Sequence, residues 1–114
     1  MVATKLRTNW TEFLAPFVTH NLGRPTRLGV FKPDAGGLTD YWIESGLPFR
    51  GIDIDYDGSQ VTALIILDKL THEVKNVTDI AIRLCVNGDD EGLDVTERNG
   101  TVNVLRFEAN GTEN

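Results

Sequence analysis

Asn9-Trp10-Thr11-Glu12-Phe13-Leu14-Ala15-Pro16-Phe17-Val18-Thr19-His20-Asn21-Leu22-Gly23 is the stretch of this 114-residue sequence that decides its fold. Trp10, Phe13, Leu14, Phe17 and Val18 fall at i, i+3, i+4, i+7 and i+8, so one apolar stripe runs along a helix while Thr11, Glu12, Ala15 and Thr19 line its wet side. Asn9 and Glu12 have the spacing of a capping box, and Gly23 suits a left-handed C-terminal stop. Pro16 lies inside the span and lacks the N–H that the helix needs there. A kink or a helix in two pieces is therefore expected.

After Gly23 the period changes from helical to alternating. The expected strands are Thr26–Lys32, Tyr41–Ser45, Phe49–Asp57, Val61–Asp68, Thr71–Lys75, Asp79–Val86, Leu93–Arg98 and Thr101–Phe107. Pro33-Asp34-Ala35-Gly36-Gly37 reads as a turn, Gly46 and Pro48 as the close of the second strand, and Asn99-Gly100 as a type I′ hairpin turn. Val61–Asp68 is apolar at successive positions, which predicts a central strand covered on both faces. Ile80, Ile82, Leu84 and Val86 read as one inner face. The expected fold is α+β: an N-terminal α-helix packed on a strongly curved, mainly antiparallel sheet of five to seven strands, or a partial barrel. Residues 1–114 form a single domain, with 1–8 and 109–114 expected to be poorly ordered.

The composition excludes several function classes. The net charge is −6, and the acids are concentrated after residue 50, so a polyanion would be repelled by the second half of the chain. Arg24, Arg27 and Lys32 are the one basic patch that could attract phosphate. No apolar run is long enough for a signal peptide or a membrane span, so a cytoplasmic, soluble protein is expected. Cys85 is the single cysteine. It sits in an apolar run that predicts a buried, inert thiol.

Candidate chemistry is sparse. Asp53-Ile54-Asp55-Tyr56-Asp57-Gly58 matches the opening of an EF-hand loop, but the position that needs a bidentate Glu is Leu64, and a strand with one wetted face produces the same spacing. Asp89, Asp90, Glu91 and Asp94 crowd carboxylates into an acidic turn without a nearby His or Cys, so no metal is expected. A pairing of Cys85 with His20 or His72 is left open by the sequence. No Gly-x-Ser-x-Gly, phosphate loop or His-Glu-x-x-His marks a nucleophile, a cofactor or a metal, and no catalytic residue is assigned. Trp42, Arg50 and His72 are the candidate ligand-binding residues, with Tyr41 and Phe49 beside them as aromatics that can line a shallow site or fill the core.

Trp10-x-x-Phe13 with Phe17, Asn21-Leu22-Gly23-Arg24, Leu47-Pro48-Phe49-Arg50-Gly51-Ile52, Leu70-Thr71-His72 and Leu105-Arg106-Phe107 together resemble a small bacterial domain family of unknown function. The resemblance covers most of the chain and implies no activity, cofactor or site. The functional expectation is a non-catalytic interaction module that self-associates into a homo-oligomer through strand surface that one helix cannot cover. The alternatives are a barrel-like domain binding a small ligand, and RNA binding, since a helix followed by a curled sheet is similar in outline to the Sm-like fold. The acidic second half weighs against nucleic acid.

Overall fold

A computed structural model describes residues 2–4, 10–34 and 37–108. In chain order the elements are β1 (Val2–Thr4), α1 (Trp10–Asn21), β2 (Pro25–Asp34), β3 (Gly37–Asp57), β4 (Gln60–Leu67), β5 (Leu70–Val74), β6 (Val77–Leu84), β7 (Asp90–Glu97) and β8 (Val102–Phe107). β2 to β8 make a curled, all-antiparallel seven-stranded sheet that forms a half-barrel, and the three-residue β1 lies along β6. The fold is α+β, with the helix packed on the sheet. Residues 1, 5–8 and 109–114, read as loose ends, lie outside the described residues, as do Asn9 of the expected capping box and Ala35-Gly36 of the first turn.

The apolar stripe of α1 does what its spacing dictates: Trp10, Leu14 and Phe17 are buried, with Phe13 and Val18 packed against the core beside them. The helix runs unbroken through Pro16. Glu12, whose carbonyl loses its donor to the proline, and Pro16 itself both lie on the exposed side, where water can satisfy that carbonyl. The expected division into two pieces therefore does not occur. At the other end Gly23 takes φ +83°, and its N–H donates to the Phe49 carbonyl at 2.8 Å, so the helix stop also ties α1 to β3.

β3 departs from the sequence reading. Gly46 and Pro48 do not end a strand; they bend one. Gly46 adopts φ +88°, and the register slips at Thr26/Arg27 and Leu28/Gly29 on β2 and at Phe49/Gly51 on β3, so a single 21-residue strand pairs with β2 through its first half and with β4 through its second. The sheet order is β1-β6-β7-β8-β2-β3-β4-β5. Although β5 and β6 stand at opposite ends of the seven, only Lys75 and Asn76 separate them in sequence, so the curl must bring those two ends together. Val74 and Val77, on either side of this link, are both buried.

Three further readings are corrected. β4 buries Val61, Ala63, Ile65 and Leu67, but Leu64 and Ile66 are only half-buried, because β4 lies next to the terminal strand β5 and α1 covers the other face. β6 ends at Leu84, which leaves Cys85 exposed and Val86 fully exposed in the loop. The run that predicted a buried thiol outlasts the strand. At Asn99-Gly100 only Gly100 has positive φ; its N–H donates to Glu97 O, and Glu97 N–H donates to Thr101 O, which is a three-residue hairpin loop with a glycine bulge instead of a type I′ turn.

Trp10 is nearly completely buried, so Trp10→Ala is expected to lower the unfolding free energy by about 3–5 kcal/mol. Urea denaturation measures this, and a loss of a few tenths would refute the packing of α1.

Candidate functional site

The face of the sheet turned away from α1 carries side chains in rows across the strands. Arg27 of β2 is in register with Arg106 of β8, Arg106 with Gly92 of β7, and Gly92 with Arg83 of β6. The adjacent row reads Trp42, Gly29, Val104, Asp94 and Ala81, from β3 to β6. Phe31 and Val102 begin the next. Together these rows line an open depression of about 490 Å³ with Arg27, Phe31, Trp42, Arg83, Asp94 and Arg106 among its walls.

Local chemistry explains the arrangement. Arg83 Nε lies 3.0 Å from Asp94 Oδ2 and Arg106 Nη1 2.9 Å from Asp94 Oδ1, so one largely buried carboxylate joins β6, β7 and β8. The Arg106 approach is an ion pair without hydrogen-bond alignment, because the same Nη1 donates to the Leu105 carbonyl at 2.9 Å. Arg106 can cross β7 only because residue 92 is glycine: a Cβ there would meet the Leu105 carbonyl oxygen and the Cα and Cδ of Arg106. Arg27 packs its guanidinium 4.4 Å from the Trp42 ring centre, and Phe31 stands edge-on to the same indole at 5.6 Å.

Of the three candidate binding residues, only Trp42 belongs to this depression. Arg50 is exposed and pairs with Asp68 at 3.4 Å, a contact of little energetic weight. His72 is opposite Ile65 on the inner face of β5, where its Nε2 lies 2.8 Å from Asn103 Oδ1. The Asn103 amide donates to Glu97 Oε2 and the Val95 carbonyl, which leaves Oδ1 to accept from His72. Phe49 is core. Nothing is described of the Tyr41 side chain. Arg24, Arg27 and Lys32 do not act as one patch, since Arg24 lies over the Phe107 ring at 4.4 Å and bonds Asn21.

The acidic turn is likewise divided. Asp90 Oδ2 accepts from the buried Asn21 amide at 2.7 Å, Asp89 accepts from Asn87, and Asp94 belongs to the arginines. Asn21 Nδ2 also donates to Phe17 O, and Arg24 Nη1 to Asn21 Oδ1 and Asp90 O, so this cluster fastens the end of α1 to the start of β7. Among the described residues no group of three or more His, Cys, Asp or Glu is placed to hold a metal ion, and no hydrogen bond joins Cys85 to an imidazole.

The sequence reading missed Arg83, Asp94 and Arg106 as a unit. In sequence Arg83 and Arg106 are lone charges on strands and Asp94 is one acid of the crowded turn, and only the register of three strands brings them together. Family models, curated proteins and solved structures contain no match to the chain. No helix among the described residues is long and apolar enough to cross a membrane.

Gly92→Ala is expected to cost about 1–3 kcal/mol in guanidinium unfolding, since a Cβ at residue 92 forces backbone or Arg106 to move. Wild-type stability in this variant would show that Arg106 does not need to cross β7.

Proposed function

We propose that the protein is a non-catalytic interaction module that self-associates, working in the cytoplasm as a member of the bacterial family it resembles. The observation that supports self-association is an open edge. The first half of β3 pairs with β2 on one side, while β4 begins to pair only at Phe49, so among the described residues no strand occupies the other side of Gly37–Leu47. In the middle of that edge Trp42 and Ile43 are 42% and 38% exposed.

An unpaired, apolar strand edge is a template for another strand. A second copy offering the same segment antiparallel would satisfy both rows of backbone groups and form an isologous dimer about a two-fold axis. The contact surface is thereby the β3 edge instead of the outer face of β4 from which the sequence argument started. His72 is engaged with Asn103, and among the described residues no imidazole is hydrogen-bonded to Cys85, which supports a non-catalytic role.

Sedimentation velocity from about 10 µM to about 1 mM tests the reading, with a concentration-dependent dimer as the expected outcome. Ile43→Lys places a charge on the edge and is expected to leave the protein folded and monomeric. A wild-type monomer throughout that range sinks self-association; a variant that dimerises like wild type sinks the β3 edge as its site.

A further inference from the structure

We propose that the depression on the outer face binds a small ligand in which a planar ring carries an oxyanion. Arg27 and Arg106 are direct cross-strand neighbours, an arrangement of like charges that is unfavourable when nothing lies between them. Asp94 serves Arg106 and Arg83, but among the described residues Arg27 makes no ion pair. Its guanidinium is instead held against the Trp42 ring. A guanidinium packed over an aromatic ring loses none of its N–H donors to that contact and can offer them to a phosphate or carboxylate in a bidentate fashion.

The aromatic half of the site is present beside it. Phe31 meets Trp42 edge-on, the indole stays partly exposed, and Val102 and Val104 supply apolar contacts in a lining that also holds Glu91 and the arginine-paired Asp94. The volume of about 490 Å³ is within the range of small-ligand sites, roughly 300–1,000 Å³. The site lies on the face of the sheet and does not depend on pairing at the β3 edge.

Calorimetry with adenosine 5′-monophosphate and with indole-3-acetate tests the shared chemistry and separates its two sources, phosphate and carboxylate. At least one is expected to bind with Kd below about 1 mM, and Arg27→Ala, at an exposed position, to weaken it by about tenfold or more. Adenosine without its phosphate is expected to bind at least as weakly as that variant does. The Trp42 indole N–H resonance should shift on binding while that of buried Trp10 stays in place. Failure of both anions to bind at about 10 mM overturns the proposal, as does binding that Arg27→Ala leaves unchanged. Pyrophosphate binding as tightly as adenosine 5′-monophosphate, with Trp42→Ala without effect, overturns the role of the ring.

Discussion

The structure depends on three phenylalanine rings from distant parts of the chain. Phe17 of α1 meets Phe49 of β3 at 5.8 Å and Phe107 of β8 at 5.6 Å, and Phe49 and Phe107 are themselves 5.6 Å apart. β3 and β8 both flank β2, so Phe17 spans a three-strand width from the inside of the curl. A single helix can close a half-barrel only if its contact is wide, and large rings give that width with few rotatable bonds. The Gly23 to Phe49 bond and the Asn21–Asp90 pair then hold the helix end on two sides of the cluster. Arg24 over Phe107 covers it from solvent.

The bend in β3 links this core to the rest of the surface. Because one strand serves two partners in succession, its first half has no neighbour among the described residues on the side that β4 occupies farther along. Sheet curl and open edge are thus one event, produced at Gly46–Gly51 by positive φ and slipped register. The same event sets Trp42 in register with the buried Gly29 of β2.

The helix, its burial stripe, its stop and the antiparallel strand class were legible because each rests on local periodicity or a local backbone demand. Spacing alone names Trp10, Phe13, Leu14, Phe17 and Val18 as the stripe with Trp10, Phe13 and Phe17 as its anchors, and the structure buries Trp10, Leu14 and Phe17 while Phe13 is only partly buried. What could not be read depends on where a neighbouring strand ends. Gly46 and Pro48 have the same sequence appearance whether they terminate a strand or bend it, and Cys85 looks buried until β6 is known to end at Leu84. The outer-face site is one step harder. Alternation shows that Arg27, Arg83, Asp94 and Arg106 point outward, but their meeting requires the β2-β8-β7-β6 order, which no single segment encodes. The sequence signal for Trp42 is a group of aromatics around Gly46-Leu47-Pro48 near Arg50, a pattern that a filled core produces as well; Arg50 and His72 join it only by sequence proximity and residue type, and the sheet separates them.

Charge placement decides which surfaces remain available. With a net charge of −6, copies repel one another at long range, and any association must bury enough backbone and apolar surface to overcome it. Asp53, Asp55 and Asp57 lie on the second half of β3, which β4 already pairs, and Glu73 lies on β5. These acids discourage approach at the side of the sheet where the half-buried Leu64 and Ile66 would otherwise attract it. On the opposite side three arginines, two of them committed to Asp94, keep the outer face from joining that acidic surface. Among the described residues the protein therefore leaves accessible an apolar edge at Trp42–Ile43 and, beside it, the guanidinium of Arg27 without an ion-pair partner, two features different in the chemistry they can accept.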